Sequence, residues 1–164
     1  MSAGLDHPTA ESLVVSSLNG LAPLFRAALT AALAECNAAG LDAIAYETLR
    51  SDELQQMYYA RGRTVIPPHY TVTNAQTARH GWHFFGLAVD VISASKRWDV
   101  TKEWRDTVSS IFKSHGCSAG ADWPHPDLPH YQFGKCRRSP SNKARELYAQ
   151  GGNAAVWQAV GAVA

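Results

Sequence analysis

Apolar residues recur at helical spacing in several stretches of this chain, but the short strand-like runs between them do not alternate with those stretches as βαβ units. That pattern argues against a doubly wound parallel sheet. It predicts an α+β fold with a small central antiparallel sheet flanked by helices. From Leu21 to Cys36, the residues Leu21, Leu24, Phe25, Ala28, Leu29, Ala32, Leu33 and Cys36 form one helical stripe. Asn19 is the expected cap, Pro23 fits the first turn and Gly40 the stop. Ala43–Leu49 reads as a strand that delivers Arg50. Ser51 then caps a helix to Arg61, with Asp52 and Glu53 in its first turn, where the helix dipole favours acids. Residues 63–82, with Pro67 and Pro68, read as an irregular crossing. Gly86 leads into a strand, Leu87–Ile92, in which Ala88, Asp90 and Ile92 share a face.

Thr101 caps a further helix with Trp104, Val108, Ile111, Phe112 and His115 on one stripe, stopped by Gly116. A loop over Cys117–Pro129 feeds a short strand, His130–Phe133. Two short helices are expected at Asn142–Gln150 and Ala154–Val160, parted by Gly151 and Gly152, and another near Glu11–Ser17. With 164 residues the chain is expected to form one domain, with an extension over 1–20 and a helical tail over 135–164.

The composition is 46% hydrophobic and 18% charged, enough for a packed core. Fifteen Lys+Arg against 14 Asp+Glu leave a formal charge of +1, far from the basic balance of a phosphate-gripping domain, so nucleic acid is not expected as a partner. No apolar run approaches the roughly 18 residues needed to cross a bilayer, so no membrane insertion is expected. The N-terminal sequence lacks the pattern of a secretory signal, and synthesis in the cytoplasm is expected. Cys36, Cys117 and Cys136 lack metal-knuckle spacing and are read as buried free thiols, with a Cys117–Cys136 pair in an oxidising compartment as the alternative.

Four of the seven histidines fall between Arg79 and His130. A catalytic zinc site takes three protein ligands, often imidazoles with a carboxylate, and keeps a position for water. His83 lies just before the Gly86 turn, Asp90 on the strand beyond it, and His130 opens the later strand beside Gln132. Asp127, three residues before His130, could stand near the metal without ligating it. Taken by spacing alone these are weak patterns, and exposed or satisfied core polar groups remain open readings.

The segment His83-Phe84-Phe85-Gly86-Leu87-Ala88-Val89-Asp90 resembles the HxxGxAxD signature of the zinc peptidases that include D-Ala-D-Ala carboxypeptidases, vancomycin-resistance dipeptidases and phage L-alanyl-D-glutamate endopeptidases. Arg50–Gln55 with Tyr59–Thr64, Val72–Ala75, Asp122-Trp123 and Asp127–Gln132 resemble further blocks of that family in the same order, over roughly residues 43–134. The resemblance implies a Hedgehog/DD-peptidase-like fold and one zinc ion per chain, with His83, Asp90 and His130 as ligands. It also implies Asp127 as general base and Arg50 as stabiliser of the oxyanion. Gln55 and Trp123 are candidates for shaping the substrate cleft. The family's usual serine two residues before the first ligand is Gly81 here, which removes one possible hydrogen-bond donor. His80 and His125 are read as exposed, and His7, His69 and His115 carry no motif.

The aspartate base resembles the phage-type L-alanyl-D-glutamate endopeptidases. The implied activity is therefore hydrolysis of peptidoglycan stem peptides by a monomeric endolysin, with a holin opening the inner membrane. A D-Ala-D-Ala carboxypeptidase or dipeptidase, or a non-catalytic wall-binding domain of the same fold, is the alternative. Lys135, Arg137, Arg138, Lys143 and Arg145 form a basic cluster that suits an anionic wall or simply a solvated face.

Overall fold

A computed structural model describes residues 9–66 and 70–164. His7, His69, Pro67 and Pro68 lie outside the described residues. Helix α1 spans Ala10–Leu13, α2 Pro23–Ala38, strand β1 Ala43–Glu47, α3 Asp52–Ala60 and β2 Ala88–Ser93. Helix α4 follows at Lys102–Ser114, then β3 at Cys117–Ala119, β4 at His130–Phe133 and α5 at Asn142–Ala159. The strands form one antiparallel sheet in the order β1-β2-β4-β3, so the α+β expectation holds.

The two faces of the sheet do different work. Tyr131 and Phe133 point toward α2 and α4. Phe112 stacks on Tyr131 with ring centroids 4.3 Å apart, the Tyr131 hydroxyl shares a 2.8 Å hydrogen bond with Ser109, and Phe25 meets Phe133 edge-on. Val89 pairs with Tyr131, and alternation puts Val91 on the same face. Together with Leu29, Ala32 and Val108 these residues make the core. The opposite face carries Ala88, Asp90 and Ile92 of β2 and His130 and Gln132 of β4.

Local chemistry sets several boundaries. The Ser51 and Thr101 hydroxyls accept from the Leu54 and Trp104 amides at 3.2 and 3.1 Å, capping α3 and α4 as expected. Helix α2 starts later than its apolar stripe suggests. Its cap is Ala22, not Asn19, because Pro23 fixes φ at the first helical position without needing a donor there. The N-terminal helix ends at Leu13, and the stretch read as loop after Gly116 contains the short strand β3. Gly152, at φ 66 and ψ −163, breaks α5 where a glycine pair predicts a junction. All three cysteines are free, with Cys36 and Cys117 buried and Cys136 partly so. Among the described residues no helix is long and apolar enough to cross a membrane.

The C-terminal helix buttresses the turn between the crossing loop and β2. Trp157 Nε1 donates to the Phe85 carbonyl at 2.6 Å, and Tyr148 packs edge-on against Phe84 and Phe85. Gly86 closes that turn at φ +67, and a Cβ there would stand 2.5 Å from the Gly20 carbonyl oxygen. Only glycine combines this conformation with this approach.

Candidate metal centre

Strand pairing puts Asp90 directly opposite His130, with both side chains on the face away from the core helices. The Gly86 turn swings His83 over the same spot. Its Nε2 lies 3.4 Å from Asp90 Oδ1, and His130 Nδ1 lies 3.7 Å from that same oxygen. One ligand atom from each residue falls within 4.8 Å of the others. Ligands around a tetrahedral ion with bonds near 2.0 Å stand roughly 3.3 Å apart, so a small contraction would close the site.

The hydrogen bonds outside the centre decide which nitrogens face inward. His83 Nδ1 lies 2.8 Å from the Thr48 carbonyl, which can only accept, so the proton sits on Nδ1. That leaves Nε2 bare, buried and without any hydrogen-bond partner. Gln132 Nε2 donates to the Arg137 carbonyl at 2.8 Å, which turns its Oε1 toward His130 Nε2, also at 2.8 Å. His130 therefore keeps its proton on Nε2 and presents the Nδ1 lone pair. Two oriented imidazoles and a carboxylate are a donor set that fits zinc, and the unpartnered His83 nitrogen is the strongest sign that a cation belongs there.

Charge reinforces this geometry. Burial alone would raise the Asp90 pKa, but His83, His130 and Arg50 outweigh it and hold the carboxyl well below its ordinary range. Burial would lower His130, yet the hydrogen bond and charge of Asp90, with the charge of Asp127, push it upward.

Asp127 stands at the lip, half-exposed, with one carboxylate oxygen 3.8 Å from His130 Nδ1. Partial burial, then the Asp90 charge, raises its pKa above the usual value. Its loop is pinned where the Asp127 amide donates to the Gly120 carbonyl at 3.0 Å. A Cβ on Gly120 would lie 2.4 Å from the Asp127 carbonyl oxygen, so a side chain there would displace the lip.

Arg50 reaches the centre from the end of β1, with Nη2 3.5 Å from Asp90 Oδ2. Its Nε donates to Glu47, its Nη1 donates to Gln55 at 3.0 Å, and its guanidinium lies over the Tyr58 ring. Gln55 is thus an interior anchor, buried and also donating to the Ala75 carbonyl at 2.6 Å. Trp123 packs at a tilt against the His130 ring, centroids 4.9 Å apart, and Arg138 lies over its indole. His80 and His125 are exposed, His115 pairs with Glu35 and caps α4, and a Cβ at Gly81 would meet only the Ala78 oxygen at 3.9 Å.

Sequence reasoning missed Glu47. This carboxylate is 1% exposed, accepts from Arg50 and from the Tyr58 hydroxyl at 2.9 Å, and sits beside Asp90 at a bulge in β1. The available signal was a lone acid in an otherwise apolar strand, three residues before Arg50.

Residues 75–133 match the family described as D-alanyl-D-alanine carboxypeptidase. Among solved structures, the L-Ala D-Glu endopeptidase ChiX of Serratia marcescens is similar at a TM-score of 0.54 and 19% identity, over 71% of this chain and 82% of its own. The LD-carboxypeptidase LdcB is similar at a TM-score of 0.54 and 17% identity, over 88% of this chain and 76% of its own. At such identities the likeness is one of fold. No curated protein matches the sequence.

Proposed function

We propose that this protein is a zinc-dependent peptidase acting on bacterial peptidoglycan, a reading supported by the match of the segment that carries the three ligands to the family described as D-alanyl-D-alanine carboxypeptidase. The bond assigned to it is the L-alanyl–D-glutamate link of the stem peptide, with one zinc per chain. The observation that carries this reading is the convergence of His83 Nε2, Asp90 Oδ1 and His130 Nδ1, each oriented by a neighbour, beside a carboxylate that ligates nothing.

Zinc, when bound, would polarise the scissile carbonyl and lower the pKa of a water molecule. Asp127 accepts the proton of the attacking water and passes it to the leaving amine, which its place at the lip allows. Arg50 offsets the negative charge that develops on the carbonyl oxygen. Its guanidinium is permanently charged and already clamped by Glu47 and Gln55, so little reorganisation is needed as the charge appears. Trp123, packed on His130, forms one wall of the cleft.

An aspartate in the base position supports the endopeptidase reading over a D-Ala-D-Ala carboxypeptidase or dipeptidase. A wall-binding domain without activity would need neither Asp127 nor Arg50. The fitting biological role is that of a monomeric phage-type endolysin, made in the host cytoplasm and reaching the wall after a holin opens the membrane. Digestion of purified peptidoglycan, with mass spectrometry of the new amino termini, tests the assignment. New D-glutamyl termini are expected, and release of terminal D-alanine alone would overturn the endopeptidase reading.

A further inference from the structure

The segment that follows β4 is tied to both histidines of the metal centre through one backbone group. The Arg137 carbonyl accepts from Gln132 Nε2 at 2.8 Å and from Trp82 Nε1 at 2.7 Å. Gln132 is the residue that orients His130, and Trp82 directly precedes His83. The next residue, Arg138, is therefore placed by the same bonds that order the centre. Its guanidinium lies 5.4 Å from the centroid of the Trp123 ring, within the range of a cation–π contact, and Trp123 packs in turn on the His130 ring. Trp123 is itself fixed to the lip of the cleft, because the Gly120 carbonyl accepts from the amides of both Trp123 and Asp127, at 3.2 and 3.0 Å. Arg138 thus extends the wall that begins at His130 and Asp127.

Stacking on an indole holds a guanidinium in place without using any of its N–H groups. Arg138 is exposed, and among the described residues it has no carboxylate partner and makes no side-chain hydrogen bond. The arginines of neighbouring segments are engaged otherwise. Arg50 is held by Glu47, Gln55 and Asp90, and Arg63 donates to the Tyr59 and Thr73 carbonyls. Arg79 lies over Phe84 and Tyr148, on the side of α5. A planar cation preset by stacking, with its donor edges free, is suited to a planar anion taken in bidentate fashion.

The charge count says what would bind. Glu47, Asp90 and Asp127 balance Arg50 and a divalent ion, so the centre itself has no positive charge to spare for an anionic substrate. A glutamyl residue has two carboxyl groups and only one continues the chain, so the proposed substrate carries a free carboxylate beside its scissile bond. We infer that Arg138 is a specificity-determining residue that receives this carboxylate at the Trp123 wall. The inference rests on the proposed endopeptidase reading and names the group by which that site selects its substrate. A carboxamide in the same place returns no charge for the desolvation of the guanidinium, so it binds less well.

Two synthetic stem peptides, amidated at the C-terminus and identical except for a carboxylate or a carboxamide on the glutamyl residue, test it with the zinc-loaded full-length protein. The wild type is expected to prefer the carboxylate by about 10-fold in kcat/KM, the scale of one charge-assisted hydrogen bond. Arg138→Met keeps an apolar stem on the Trp123 ring and removes the cation, so the ratio should fall close to 1 through a raised KM for the carboxylate peptide. Arg138→Lys should restore part of the preference, since a point charge replaces the planar fork. Because Arg138 is exposed, neither variant is expected to lower the melting temperature or the zinc content. Calorimetry with the Asp127→Asn protein reads binding without turnover, and the same preference, with the same loss on adding Arg138→Met, is expected there. Cleavage of neither peptide by the wild type would overturn the endopeptidase reading, while a binding preference that Arg138→Met abolishes would still support the role of Arg138. Equal binding of both peptides, or an Arg138→Met variant that weakens both alike and so keeps the preference, would overturn that role.

Discussion

Asp90 and His130 face each other across two antiparallel strands, and Glu47 approaches Asp90 from the other side at a bulge in β1. The centre of the sheet therefore carries a line of polar groups on one face while the other face packs the core. A cross-strand pair on a hydrogen-bonded sheet is held more firmly than any loop could hold it, which is what a site with fixed ligand geometry needs.

The Gly86 turn sets the position of His83 relative to that pair. Gly86→Ala would combine positive φ with a Cβ 2.5 Å from the Gly20 carbonyl oxygen. A loss of about 2–4 kcal/mol in unfolding free energy is expected, with weaker zinc binding. Denaturant unfolding and metal titration of the variant check both.

Glu47 is expected to matter as much as Arg50. Glu47→Ala leaves a largely buried guanidinium without its closest carboxylate and the Tyr58 hydroxyl without its acceptor. Breaking a buried pair from one side costs about 3–5 kcal/mol. Activity should fall with it, because Arg50 loses the group that aims it. Thermal unfolding and steady-state kinetics of Glu47→Ala and Glu47→Gln make the comparison, with glutamine expected to recover part of the stability.

Asp42 clamps the turn after β2 through the Ser93 and Ser95 hydroxyls and the Ser95 amide, and this gives a pH signature. Hydrogen bonds from Ser95, first, and Ser93 lower its carboxyl from 3.8 to about 2. A depressed folded-state value means its contribution is fully present above the unfolded value near 4 and is lost as pH falls toward 2. Asp42→Asn should therefore be less stable than the parent at pH 6, with the gap closing below pH 4. Thermal melts across that range measure it, and a gap that stays constant would remove the Asp42 charge from the account.

Features set by neighbouring residues were the most legible in the sequence. Ser51 and Thr101 cap their helices through bonds to amides three residues on, and Gly86 marks its turn, whereas His83, Asp90 and His130 stand out only through the family resemblance, their spacing alone being weak. Other features depend on contacts that no local pattern encodes. The strand β3 has only three residues, too few for a period to emerge. Gln55 gives no hint on its own that it joins Arg50 to the 73–75 segment. Arg97 has nothing in its identity to announce positive φ, since the clamp comes from Asp42, far earlier in the chain.

The most direct test is zinc content per chain, by elemental analysis after dialysis, for the wild type, His83→Ala, His130→Ala and Asp127→Ala, each paired with a peptidoglycan-hydrolysis assay. The account predicts one zinc per chain in the wild type and in Asp127→Ala, whose hydrolysis falls by at least about 100-fold. It predicts loss of both zinc and activity in the two histidine variants. Zinc retained at wild-type affinity without His83 or His130, or hydrolysis undiminished without Asp127, would contradict it.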